Sequence, residues 1–383
     1  MSSSTRTDPD PPAPEGRSIT IRRRRIPVIL PNRRDPRLRL SVVIMTLQLL
    51  GQTVLDFKVS IAQIIVTIAF SASVEIVITF RREAMLVWPA SAMLTGSSVA
   101  FILRTAGTRH GDWWSLNGIR WFLLAALLSL LSKYLIRPGD RHLFNPSNVG
   151  LVWCLLIIGP RHVFPQYLWW GPGRVGQALA YAVIFAGAWW ILRKVRMVGM
   201  AVAFLTTFAV LAGILALAGR DFVAIWHDGP ISGLSYWANL AMSPELLIFV
   251  FFMISDPQTA PRAPLGRVIY GAATATLAAG LLSFQTTEFA IKLSILSSLT
   301  VVCALVPLLE NVVRRLQVEP ELRRSAAVSG ALPRWRQVAA GARNPVIVAA
   351  AIITLAAPLN TAALAGDDEV VLIEKGLAGK NAQ

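Results

Sequence analysis

Two carboxylates stand among apolar residues in this sequence. Glu75 lies in the run 60–80, and Glu245 follows Pro244 in the run 233–254. An ionised group inside a membrane costs roughly 3 kcal/mol or more at the centre of a span, so each is a candidate for moving protons or ions. Glu245 precedes Asp256 by eleven residues, about 16 Å along a helix, which puts it near mid-bilayer. Pro244 also frees a backbone carbonyl there. Such a carboxylate relays protons or binds a cation; equally, it pairs with a cation on a neighbouring helix, Lys292 or Arg174 for Glu245. Lys133 either snorkels to the headgroups or holds an anion beside Asn145 and Asn148. Asn145-Pro146-Ser147-Asn148 reads as a capped helix start with proline at the first position. Its free amides would favour an anion such as phosphate, or the cap does nothing more. Asp256-Pro257, followed by Thr259, Pro261 and Pro264, is likewise a helix stop or a ligand contact.

Two polar, proline-broken insertions carry most of these residues, 132–150 and 255–267. Backbone at membrane depth is tolerated only where protein or a water-filled cavity covers it. Paired interruptions in the two halves of a membrane chain point to a binding site between them. The insertions are therefore expected to converge from one side on a shared pocket. The stretch Trp88-Pro89-Ala90 to Ser98, which contains Thr95 and Gly96, is small, polar and proline-broken. It either lines that pocket as a discontinuous helix or packs closely through its small residues.

The rest of the chain must position these groups in a bilayer. Of its 383 residues, 54% are hydrophobic and only 15% charged, against about 25% charged in a soluble domain. Runs long enough to span predict an all-α integral membrane protein of about eleven transmembrane helices. They fall at 40–57, 60–80, 85–103, 118–136, 144–160, 175–192, 197–218, 233–254, 267–284, 287–309 and 345–365. Around them we expect a disordered basic tail (1–39), an Arg-rich amphipathic loop (310–344) on the membrane surface, and a short outer tail (367–383). The net charge of +16 falls mostly on segments that would share one side with the N-terminus. The positive-inside rule then sets a cytoplasmic N-terminus and an outer C-terminus in the inner membrane. Topology accounts for the charge, so nucleic acid is not a partner; the bilayer is. Loops rich in Trp and His, such as 110–114, 162–170 and 226–228, form the opposite belt, as interface anchors or a substrate mouth. Cys154 and Cys303 sit in apolar runs without metal spacing and read as small buried hydrophobes.

In their order and spacing, Leu94-Thr95-Gly96, Lys133 through Arg141-His142-Leu143-Phe144-Asn145-Pro146, and Phe252-Met253-Ile254-Ser255-Asp256-Pro257 with Thr259, Pro261, Gly266-Arg267 and Tyr270-Gly271 resemble a known family. It comprises the membrane subunits of sodium-pumping NADH:quinone reductase and of the Rnf electron-transport complex, the NqrB/RnfD-like group. Arg-His-Leu-Phe-Asn-Pro-Ser-Asn and Asp-Pro-Gln-Thr-Ala-Pro look most like the UnbU-type branch associated with enediyne biosynthesis. The resemblance covers roughly 40–310. It implies a ten-helix core of two inverted five-helix repeats, with the C-terminal helix (345–366) as an addition, a bound flavin, redox partner subunits and electron transfer coupled to ion movement. The family's covalent FMN sits on a Gly-Ala-Thr threonine between the two insertions. Thr206 and Thr207 are poor substitutes, and Gly271-Ala272-Ala273-Thr274 comes too late. The expectation is FMN or riboflavin held without a covalent bond at Thr95, Gly96, Lys133, Asn145, Pro146, Asn148, Asp256, Pro257 and Thr259. The rival is a permease of a secondary-metabolite pathway, and a third reading is a scaffold for membrane-bound enzymes.

Overall fold

Apolar runs that must satisfy every backbone polar group internally become helices, and helices dominate the architecture. The structure, a computed structural model, describes residues 18–21, 24–30, 36–137, 141–171 and 173–326, together with Thr354. In chain order the elements are β1 (Ser18–Ile21), β2 (Arg24–Ile29), α1 (Pro36–Thr53), α2 (Ile61–Glu83), β3 (Leu86–Val87), α3 (Ala90–Ile102), β4 (Leu103–Thr105), α4 (Ile119–Leu135), α5 (Pro146–Ile158), β5 (Val163–Pro165), α6 (Arg174–Val195), α7 (Val198–Leu217), β6 (Asp221–Phe222), β7 (Ile231–Ser232), α8 (Gly233–Ala241), α9 (Pro244–Ile248), α10 (Pro264–Leu282) and α11 (Glu288–Ala326). A π-helical turn, Phe249–Met253, continues α9.

Each of the first ten segments expected from the sequence contains a helix. Six of these units, among the described residues, are long and apolar enough to cross a membrane: α2, α6, α7, the α8-to-π unit, α10 and the first part of α11. The expectation of about eleven goes beyond what length and composition establish, and its last segment, 345–366, lies outside the described residues apart from Thr354, as does the whole outer tail. Exposed Val175, Trp189, Val210 and Leu217 give the outer helices an apolar surface that only lipid suits. The chain is thus a multi-pass membrane protein in contact with the bilayer. α11 is the central post, with 89% of its apolar window buried against 28% for α2 and for α7.

Three departures from the sequence reading have physical causes. First, the fold is not purely helical. α3 runs directly into β4, which pairs antiparallel with β5, and all six strand residues are buried. Thirteen helical residues and three extended ones add up to about 30 Å, the thickness of the hydrocarbon core. The ladder, with Gln166 N–H donating to Ile102 O at 2.6 Å and Ala106 N–H to His162 O at 3.1 Å, satisfies the non-helical backbone. Second, part of the tail expected to be disordered is folded: β1 and β2 form a hairpin, and β2 lies parallel to β3. Third, α11 continues to Ala326, so no break in the helix marks the expected loop boundary at 310.

Close helix contacts rest on glycine. A methyl at Gly150 would lie 1.9 Å from Ser129 Oγ and 2.4 Å from Ala125 O, locking α5 against α4. At Gly96 it would lie 2.6 Å from Ser71 Oγ and 2.9 Å from Thr67 O, the close-packing alternative weighed for the third segment.

Candidate functional site

The two insertions meet. Asn145 caps α5, its Oδ1 accepting from the Asn148 amide at 3.2 Å and the Ser147 hydroxyl at 2.9 Å. Its Nδ2 donates across to Met253 O at 3.0 Å. Arg141 donates to the carbonyls of Pro257 and Ala260, and His142 Nε2 lies 3.7 Å from Asp256 Oδ2. Between these contacts is a cavity of about 370 Å³, within the range of roughly 300–1,000 Å³ for small-molecule sites. Its lining is mainly apolar, with Ser91, Thr95, His142, Asn145, Ser147 and Asp256 among the polar groups in its walls.

Of the residues singled out from the sequence, Thr95, Asn145, Pro146, Asp256 and Pro257 line this cavity. The others sit elsewhere. Gly96 faces α2 rather than the cavity. Asn148 turns to the central post, donating to Leu296 O and Thr300 Oγ1, each at 2.9 Å. Thr259 is buried in its own turn, its hydroxyl on Asp256 O at 3.3 Å. Lys133 is not an open anion site, because its ammonium is held by Glu75 and by Ser91 Oγ at 3.0 Å. Glu75 is correspondingly a linchpin of packing: it accepts from the Ala92 amide at 2.7 Å and the Tyr134 hydroxyl at 3.0 Å, fixing the start of α3. The α5 N-terminus is also a weaker anion site than expected, since Pro146 has no N–H and the Asn148 amide is taken by its own cap.

Arg37, Ser91 and His142 also line the cavity and were not singled out. Arg37 was hidden in what read as a tail, and Ser91 among small residues. His142 stood beside Asn145 in the first insertion and was the legible one.

Glu245 is paired with Lys292 Nζ at 3.2 Å, the first of the two partners foreseen. Both are almost fully buried, and Lys292 also donates to Gln166 O. Glu245 Oε1 and Gln166 Oε1 are buried without a hydrogen-bond partner. Beyond Gln166 lies a second cavity of about 620 Å³, walled by Tyr167, Trp169, Trp170 and Trp226, with Asp56 and Lys58 at its edge. Among the described residues, no group of three or more His, Cys, Asp or Glu is placed to hold a metal ion. Cys154 and Cys303 are free and buried.

Residues 124–319, half of the chain, match the sequence model of the NQR2, RnfD, RnfE family. No curated protein matches the chain.

Proposed function

Because the chain belongs to the NQR2, RnfD, RnfE family, we propose that this polytopic membrane protein of the NqrB/RnfD type acts in membrane electron transfer coupled to ion movement, with a flavin held non-covalently in the cavity beside Asn145. The observation that carries this reading is the meeting of the two insertions around a cavity of about 370 Å³. The residues present suit the ring system. Leu94, Ile191 and Phe252 offer apolar walls, and Ser91, Thr95, Asn145 and Ser147 offer hydroxyl and amide groups for its polar edge. A phosphate fits less well, because the Asp256 carboxylate faces the same space. The cavity therefore favours riboflavin over FMN. When bound, a flavin would supply one- or two-electron transfer; the protein orients it and screens it from water.

Thr206 supports the non-covalent form: it is exposed on the outside of α7, its hydroxyl bonded to Val202 O at 2.8 Å. The reading extends to two inverted repeats, a cytoplasmic opening for the Asn145 cavity, an UnbU-type position within the family, and redox partner subunits. A second reading, a permease for a secondary metabolite, draws support from the tryptophan-walled cavity at the other end of the bundle. The absorbance of detergent-solubilised protein in the flavin bands, before and after acid precipitation, separates the two. Colour released by acid supports a non-covalent flavin. Absence of a flavin chromophore from both fractions removes the redox reading and leaves the permease.

A further inference from the structure

The two cavities open at opposite ends of the same helices. Arg37 and Leu40, at the start of α1, line the Asn145 cavity, whereas Leu55 and Lys58, just past its end, line the tryptophan-walled one. On α6, Ile191 faces the first and Gln177 the second, about 21 Å apart along the axis. One thin wall separates them. Ile102 and Met253 line the Asn145 cavity and also a void of about 10 Å³ that touches Glu245 and Lys292. That is about the room one water molecule needs. Lys292 in turn donates to the carbonyl of Gln166, which lines the far cavity. From that void the polar contacts run through a single ion pair to the far cavity, and on the near side the void meets the Asn145 cavity across Ile102 and Met253.

We propose that Glu245 and Lys292 form a proton relay through this wall, so that the ion moved by the protein is a proton. The wall is short of donors: Glu245 Oε1 and Gln166 Oε1 are buried without a well-aligned hydrogen-bond partner, the Trp170 indole alone approaching the carboxylate, and a proton arriving at Glu245 supplies one. A metal cation is poorly served, because the Lys292 ammonium already stands against both Glu245 Oε2 and Gln166 O. Two further charged groups, Glu288 and Arg104, act on Lys292 through space and make hydrogen bonds of their own. Glu288, one turn before Lys292, accepts from the Leu168 amide and from Trp226 Nε1 at 2.8 Å. Arg104 donates to Pro165 O at 3.1 Å and lies over the rings of Phe164 and Tyr167. In the relay, the Glu245 carboxylate takes a proton from hydronium on the Asn145 side. The Lys292 ammonium releases one to water on the tryptophan side. The Glu245 carboxylic acid then reprotonates the Lys292 amine, which restores the pair, and one proton has crossed.

The path itself needs no flavin; only its coupling to electron flow rests on the function proposed above. The test uses the full-length chain in liposomes containing pyranine, with a potassium gradient and valinomycin to set the voltage. Wild type should carry protons faster than protein-free liposomes. Glu245→Gln should lower that flux about tenfold or more. Lys292→Arg is the decisive variant, because it keeps the charge and the pair but cannot give up its proton. It should lose the flux while keeping wild-type solubility and size-exclusion behaviour, whereas a purely structural pair would tolerate it. Lys292→Arg conducting at the wild-type rate, wild type conducting no better than bare lipid, or sodium flux without proton flux would each overturn the relay. Flavin absorbance on the same sample keeps the two readings apart, since either can fail while the other stands.

Discussion

Lys133→Met isolates what holds the cavity wall in place. In the native protein the Glu75 carboxylate receives the Ala92 amide, the Tyr134 hydroxyl and the Lys133 ammonium. The two charged side chains are only 11% and 13% exposed. Replacing the ammonium by a thioether of similar length leaves an uncompensated carboxylate, which costs about 3–5 kcal/mol when the site is this buried. Neutralising the partner as well, in Glu75→Gln/Lys133→Met, removes that penalty and leaves the amide and hydroxyl contacts in place, so the double variant should lose only about 1 kcal/mol. The single variant Glu75→Gln strands the ammonium and should also cost about 3 kcal/mol. The expected coupling across the four-member cycle is then several kcal/mol, measured by reversible unfolding in mixed micelles. Because Lys133 holds the wall and not the ligand, the double variant should retain as much bound flavin as wild type. A coupling below about 0.5 kcal/mol would mean that the pair carries no weight. Loss of flavin from a stable double variant would return Lys133 to the role of ligand contact.

Asn145→Ala removes the α5 cap, worth about 1 kcal/mol, and the bond to Met253 O, worth roughly 0.6 kcal/mol in a bilayer. It should insert normally but release flavin on gel filtration. Asp256→Asn takes the carboxylate from His142, and it should raise the affinity for FMN relative to riboflavin in a filter-binding assay. Gly150→Ala drives a methyl into Ser129 Oγ and Ala125 O and should destabilise by about 1–3 kcal/mol. Ser129→Ala should restore only part of this, since the carbonyl remains. Thr206→Ala and Thr207→Ala should leave the flavin bands of the purified protein unchanged; loss of colour there would point to a covalent link.

Much of the helical framework was legible, because lipid enforces long apolar runs and proline marks their ends. Asn145-Pro146 and Asp256-Pro257 announced themselves as helix boundaries for that reason, whereas Pro244, read as lying within one span, in fact starts a new helix, α9. The strands β4 and β5 were not legible. Leu103-Arg104-Thr105 continues an apolar helix without glycine or proline, and only its pairing with Val163–Pro165 fixes it as extended. The site was legible in part. Pattern reveals which residues are polar inside an apolar run, but not the direction each side chain takes. Asn148 therefore looked like a companion of Asn145, yet three residues on around the helix it faces Leu296 and Thr300 instead. Lys133 and Glu75, 58 positions apart, could be joined only by seeing α2 and α4 side by side.

The π turn at Phe249–Met253 sits between the ion pair and the cavity, and it stores a register choice. It packs one residue more into its turn than an α-helix does, as the Ile254 amide reaching Phe249 O at 3.0 Å shows. Tightening it to α geometry would rotate everything downstream by about 100°. Asp256 would then swing off the cavity wall and Met253 off the void beside Glu245. The amide of Asn145, donating to Met253 O, ties the end of the turn to α5 and so holds the winding seen here.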